Sequence, residues 1–390
     1  MVAQIDDEFL EDPEAIGARD TQGTLRALAT AGAQVRSSGE RAGEAGIERV
    51  NRGDRPRAVL VAALGGASAV ADVLQFLAEP GSPIAVTSRG NLPLPGWVGP
   101  LDLVIAVSQS GKAHGPVGLA REAARRGAGL LTIGAADSPL AEACADARGV
   151  HVPFDGMRIS SRTALWSMLT PALLAGSHLG LFTLPPGTFA AVADLLDDRA
   201  GEYRPSSESF VNPAKSLAHD LAGTVPVVLG DGPLTGVAAR RAAAMLTRTA
   251  RVPAVAGELP DAASPVVACF DGPLVRGGGT APGGGHDLFA DPFIDGPTGP
   301  RLGLLALRDV LPDPITREAA AAHDLAQAVV DSAHDAGAKV AEVSAETGHP
   351  LERLAGLMAL TDFAATYLAL GTGLDPGRSA HVADLRDRTS

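Results

Sequence analysis

VIAVSQSGKAHGP, residues 104–116, is the stretch on which the fold turns. Leu103 and the four apolar residues Val104 to Val107 lead directly into a Ser-x-Ser-Gly turn. A continuous apolar run of this length reads as a strand buried on both faces, the signature of a parallel sheet. Small hydroxyl residues and a glycine at its exit leave room for a ligand beside the backbone N–H groups. The helical-looking PVGLAREAARRG (116–127) follows at once.

Outward from this stretch the same pattern recurs. AVLVAAL (58–64), SPIAVTS (82–88), LDLVIAVS (101–108), AGLLTIGA (128–135) and GVHVPF (149–154) are short apolar runs separated by alanine-rich helical segments. Strands alternating with helices predict a doubly covered parallel sheet. Pro185-Pro186-Gly187 interrupts the chain, an acidic helical piece follows over 188–201, and the logic then restarts. VPVVLG (225–230) predicts a strand, 234–249 a helix, and SPVVACFDG (264–272) and RLGLLALRD (301–309) further strands. Residues 1–54 show helical spacing of apolar residues. The expected organisation is a helical N-terminal arm over 1–54, one α/β domain over 55–185, and a second over 210–390. A glycine-rich surface loop is expected at 272–300.

Composition narrows the function classes. The 390 residues carry 32 basic and 45 acidic side chains, a formal net charge of −13, which opposes non-specific binding to nucleic acid or an anionic membrane. Aromatic residues make up only 4%, so alanine, valine and leucine must fill the core. Cys144 and Cys269 are the two cysteines. Their distance in sequence suits two free thiols in a reducing compartment. The acidic N-terminus does not read as a signal peptide. Residues 164–184 carry no formal charge and reach the roughly 20 residues of a membrane span. Pro171, His178 and several small polar residues dilute the segment, so a buried helix or helix pair is expected.

Three turns follow predicted strands: Gly65-Gly66-Ala67-Ser68, Ser108-Gln109-Ser110-Gly111 and Gly230-Asp231-Gly232. In an open parallel sheet a ligand sits outside the carboxyl ends of the strands, and a helix N-terminus beside a glycine turn suits a phosphate. Gly65, Gly66, Ser68, Ser108, Ser110, Gly111 and Lys112 are therefore the candidate phosphate-binding residues. There is no Gly-x-Gly-x-x-Gly after the first strand and no P-loop lysine motif, which weakens a nucleotide reading.

The order of these motifs resembles the bifunctional phosphoglucose/phosphomannose isomerase family of SIS (sugar isomerase) proteins. RDTQGTLRAL (19–28), ALGGASAVADVL (63–74), SQSGKAHG (108–115), GMRISSRTALWSML (156–169), the segment from VPVVLG to LPDAAS (225–264) and YLALGTGLDP (367–376) carry the resemblance. It implies two SIS domains, each a flavodoxin-like parallel sheet with helices on both faces, in a cytoplasmic homodimer whose active sites use both subunits. It also implies a phosphorylated sugar ligand, aldose–ketose isomerisation without cofactor or metal, and the family's active-site arginine at Arg162.

The proton-transfer positions depart from the family. Its carboxylate base falls on Arg248, its ring-opening histidine on Ser264 and its C-terminal lysine on Arg386. An arginine guanidinium keeps its proton and cannot serve as a base. Glu258 is the first candidate for a substitute base, with Asp261, His114 and His219 behind it. Each also has an ordinary role as a helix cap, a turn residue or an exposed side chain. The resemblance thus leaves three readings: a sugar-phosphate-binding protein with isomerase activity weak or lost and a regulatory role; an isomerase with relocated acid and base groups; and a non-catalytic dimer or partner-binding protein.

Overall fold

The computed structural model describes residues 5–154, 159–275 and 300–389. The expected glycine-rich loop therefore lies outside the described residues from 276 to 299.

Two parallel sheets organise the chain. The first contains β1 (Ala58–Ala63), β2 (Ala85–Arg89), β3 (Leu103–Ser108), β4 (Gly129–Gly134) and β5 (Val150–Pro153), in the order β2-β1-β3-β4-β5. The second contains β6 (Thr224–Gly230), β7 (Val255–Glu258), β8 (Arg301–Arg308) and β9 (Lys339–Ser344), in the order β7-β6-β8-β9. Every described pairing is parallel. β3 sits between β1 and β4, and all six of its residues are buried. That position explains why its sequence is unbroken by polar residues. This is a two-sheet α/β fold with a flavodoxin-like strand order in the first sheet.

The chain separates into two compact units, Arg26–Asp198 around the first sheet and the remainder around the second. The helical N-terminal stretch expected as a single arm is divided between them at Leu25 and Arg26. The part up to Leu25 is fastened to the second unit by Lys215, whose side chain is completely buried. Its Nζ donates to the carbonyls of Leu10 (2.6 Å), Pro205 (2.9 Å) and Ser207 (2.7 Å). Three carbonyl acceptors match the three donors of the ammonium group, which makes its burial tolerable. Burial still pushes the Lys215 amine below its ordinary pKa, while nearby Glu11 acts in the opposite direction.

Three elements differ from the sequence expectation. Residues 264–272 are not a strand: Ala263–Phe270 is a helix with Val266 and Phe270 buried one turn apart and Ala268 and Cys269 exposed. Short apolar runs do not distinguish a strand from a helix turn. β7 and β9 were not anticipated. Only four residues long and partly exposed, β7 has no apolar run to announce it, and β9 mixes charged with apolar residues. The uncharged 164–184 stretch contains the helix Leu165–His178, which is buried almost throughout. The helix Pro350–Gly371 is the one described helix long and apolar enough to cross a membrane by length and composition, and 83% of its most apolar window is buried within the protein.

Inside the second unit, the helices Pro233–Met245 and Pro350–Gly371 are joined by a buried ion pair. Arg241 Nε lies 3.1 Å from Asp362 Oδ1, and Nη2 lies 2.7 Å from Oδ2. Burial pushes the Asp362 carboxyl up, and Arg241 opposes that shift. Asp362→Ala would leave the guanidinium buried without its carboxylate, at an expected cost of about 3–5 kcal/mol. Replacing both partners, as Arg241→Met with Asp362→Leu, should cost clearly less. Urea denaturation of the two variants checks this order.

Candidate functional site

The strand order reverses at β1: β2 lies on one side and β3 on the other. Crossovers from the two neighbours leave on opposite faces, so a crevice opens beyond the carboxyl ends of β1 and β3. Both serine- and glycine-bearing turns lie at this crevice. Gly65–Ala67 forms a single 3-10 turn after β1, followed by the helix Ser68–Ala78. After β3, residues 109–113 lead into the helix His114–Arg125. Neither helix has a side-chain cap at its N-cap residue, Ala67 and Ala113 respectively.

Each site residue now has a location. Ser108 is the last residue of β3, and its Oγ accepts from Ala113 N at 3.3 Å. Ser110 Oγ accepts from Lys112 N at 3.3 Å. Both hydroxyls thus receive a turn N–H and retain their own proton to donate. Ser110 and Lys112 are exposed, whereas Ser108 is buried. Gly111 has φ +65°, and a Cβ there would lie 2.1 Å from Ser138 Oγ, so glycine is required twice over. Ser68 behaves differently from the other serines. Its hydroxyl donates to Gly65 O at 2.7 Å, so its proton is used inside the turn.

The Arg162 segment reaches the same crevice. A Cβ on Gly66 would lie 2.7 Å from Ser161 O and 3.1 Å from Arg162 N. The backbone at 161–162 therefore passes directly over the first turn. Two glutamines that the sequence reading passed over hold this segment. Gln109 Nε2 donates to Ile159 O at 2.6 Å. Gln34, entirely buried on the helix Ala31–Glu44, donates to Thr163 O at 2.9 Å. Its Oε1 accepts from Ser167 N and Ser167 Oγ, both at 3.3 Å. Arg162 is half-buried between these two fastening points. The signal for Gln34 was present in sequence: it occupies the same buried helical stripe as Val35, Ser38 and Ala42.

Of the residues that the resemblance puts at proton-transfer positions, Arg248 and Ser264 lie at opposite ends of β7. Arg248 lies in a π-helical turn, Leu246–Ala250, after the helix that descends from the carboxyl end of β6. The chain then enters β7, which is parallel to β6, so Arg248 sits at the amino end of that strand. Ser264 begins the helix after β7, at its carboxyl end, and is exposed. Arg386 falls in the helix Ala380–Thr389, but its side chain lies outside the described residues.

None of the substitute bases is conspicuous. The Glu258 carboxylate accepts from Arg240 Nη1 at 3.0 Å and rests against Gly236. His219 pairs with Asp7, and its carbonyl accepts from Lys339, the first residue of β9. That places it at the amino end of the second sheet, away from the strand ends where ligands sit. His114 and Asp261 are exposed. Among the described residues, no group of three or more His, Cys, Asp or Glu side chains could hold a metal. Cys144 is buried, Cys269 is exposed, and both thiols are free.

Comparison with known proteins fits this arrangement. Residues 210–389 match the bacterial phospho-glucose isomerase C-terminal SIS domain. A bifunctional phosphoglucose/phosphomannose isomerase of Caldicellulosiruptor bescii is 26% identical over 196 residues, covering 50% of this chain and 57% of that relative. The matched part of the chain thus spans little more than half the relative's length. Among solved structures, a hypothetical protein from Thermus thermophilus is 14% identical, with a TM-score of 0.62, covering 100% of this chain and 99% of that one. The C-terminal domain of glucosamine-fructose-6-phosphate aminotransferase from Francisella tularensis is 12% identical with a TM-score of 0.58, covering 91% and 98% of the two chains. The two parallel sheets, each with its first strand at a point of reversal, are the fold shared with these solved structures. Residues 210–389 are thus similar to an SIS domain, and the chain is similar to a bifunctional phosphoglucose/phosphomannose isomerase.

Gln34→Leu should unfasten the Arg162 segment. It strands Thr163 O and Ser167 N–H in the interior, an expected cost of about 1–3 kcal/mol for each unsatisfied group. Guanidinium denaturation measures the loss, and hydrogen exchange should show it concentrated at 163–167.

Proposed function

We propose that this protein binds a phosphorylated sugar at the β1–β3 crevice and that its aldose–ketose isomerase activity is weak or lost, leaving a sensing or regulatory role. The observation that carries this reading is the contrast between two sets of residues. The phosphate-type donors are retained at Ser108, Ser110, Gly65 and Gly66, with Lys112 on the same turn and Arg162 over the first turn. The positions for proton transfer hold Arg248 and Ser264.

The chemistry explains why the contrast matters. Aldose–ketose isomerisation moves a proton between C1 and C2 through an enediol, which needs a base at that proton and an acid/base for ring opening. Loss of a single proton-transfer group typically lowers the rate by about 10²–10⁴-fold. Arginine and serine at both positions leave binding intact while removing the shuttle. Arg248 would still hold a sugar oxygen or a second anionic group, which favours ligands more anionic than a hexose monophosphate.

The reading includes a cytoplasmic homodimer. Arg248 and Ser264 occupy opposite ends of β7, so any site that uses both positions requires a second chain. A phosphosugar needs no cofactor here, and its negative charge is met by local donors despite the acidic chain.

Thermal shift with glucose 6-phosphate and mannose 6-phosphate tests binding. Ligand at about 100 times its Kd should stabilise the fold by about 2.7 kcal/mol. Ser108→Ala with Ser110→Ala should abolish that stabilisation, while the unliganded fold loses about 1 kcal/mol because Ala113 N–H lacks its Ser108 acceptor. Absence of any shift from sugar phosphates or inorganic phosphate would favour a non-catalytic partner-binding protein. Deuterium exchange at C2 of bound substrate should proceed at the buffer rate. Exchange at the rate of a competent isomerase would instead establish a relocated base, with Glu258→Gln the first variant to examine.

A further inference from the structure

The second sheet has the same reversal as the first, with β6 between β7 and β8. Register aligns the two crevices residue by residue. In the first sheet Ala63 pairs with Val107, and the next residue, Ser108, ends β3. In the second, Gly230 pairs with Leu307, and the next residue, Arg308, ends β8. Arg308 therefore stands where the first sheet has Ser108, and Asp231 stands on the turn where the first sheet has Leu64.

What occupies this second crevice is a side chain of the protein itself. Asp231 Oδ1 and Oδ2 each lie 3.0 Å from Asp309 N, the first N–H beyond β8. Thr235, in the first turn of the helix Pro233–Met245, donates its hydroxyl to Asp231 Oδ1 at 2.8 Å. Arg308 Nε is 3.5 Å from Asp231 Oδ2. A turn N–H, a helix-start hydroxyl and a guanidinium are the donors that an anion takes at a strand–helix junction.

The surrounding charge is net negative. Arg308 also faces Glu342, at 3.6 Å, and Arg353 Nη1 is 2.6 Å from Asp309 Oδ1. Three carboxylates against two guanidinium groups leave no attraction for a further anion. Donors nevertheless remain: Arg353 Nε is buried without a hydrogen-bond acceptor, and Arg308 Nη1 has only the Glu342 carboxylate at 3.6 Å. Arg308 as a whole is 6% exposed. Removal of the Asp231 carboxylate would leave two carboxylates against two guanidinium groups, a crevice without net negative charge and rich in donors.

We infer that the second sheet retains an anion-binding crevice at its point of reversal and that the Asp231 carboxylate is its permanent occupant, restricting each chain to a single phosphate-bearing ligand at the first sheet. Asp231→Ser shortens the side chain, removes its charge and leaves a hydroxyl in its place.

The probe is inorganic phosphate, titrated calorimetrically into the full chain. The wild type should take one equivalent per chain and Asp231→Ser two. The added equivalent should persist with Ser108→Ala and Ser110→Ala in the same chain, which separates this inference from the reading of the first site. Absence of phosphate binding by the wild type would undo that reading alone, and Asp231→Ser would still be expected to gain an equivalent. Two equivalents on the wild type, or a folded Asp231→Ser that gains none, would overturn the inference. If Asp231→Ser fails to fold without phosphate, its circular dichroism is followed against phosphate and against chloride at matched ionic strength. Recovery in phosphate alone supports a site filled from within, and failure in both overturns it.

Discussion

In both sheets the first strand must be flanked on each side by a strand that comes later in the chain, and every other feature follows from that order. Parallel neighbours require crossovers, and right-handed crossovers to opposite sides of one strand must cover opposite faces. The interior strands are consequently buried on both faces, which is why β3 is a run of Leu, Val, Ile and Ala ending in a serine. The same geometry leaves a gap beyond the carboxyl ends, where two helices begin beside each other without side-chain caps. A backbone constraint thus produces both the hydrophobic core and the place where a ligand would be held.

The two gaps are lined by different chemistry. The first has serine hydroxyls, glycine turns and an overlying segment held by Gln109 and Gln34. The second is filled by a carboxylate and the guanidinium of Arg308. Neutral hydroxyls can be dehydrated at modest cost and retain donors for a guest. A buried arginine requires a counter-charge, which Asp231 and Glu342 supply. The strictness of this accounting recurs elsewhere in the second unit, where Lys215 meets three carbonyls and Arg241 meets Asp362.

Much of the fold was legible because strands buried on both faces announce themselves as uninterrupted apolar runs. Elements that lie at edges do not. β7 offers four partly exposed residues, and β9 mixes apolar with charged ones. The run SPVVACFDG suits either a strand or two helix turns, and packing of Val266 and Phe270 on one side decides for the helix. The serine–glycine turn after β3 was legible for a related reason: a hydroxyl-rich exit from a buried strand has few structural purposes. The role of Gln34 is not legible in sequence, since a single amide in a helix carries no meaning until its partners at Thr163 and Ser167, far along the chain, are in place.

The sequence alone determined the alternation of strand and helix, the two sheets and the position of the serine and glycine turns. These are local properties, written in apolar periodicity, turn chemistry and residue identity. Only the tertiary structure decided that the N-terminal helices divide at Leu25, that Arg248 and Ser264 stand at opposite ends of β7, and that Asp231 fills the second crevice. Each of these depends on contacts between residues far apart in the chain. A lysine finds its carbonyls, or an aspartate its neighbouring strand's N–H, only after the parallel sheet has brought those segments together, and no local pattern encodes which partner will be there.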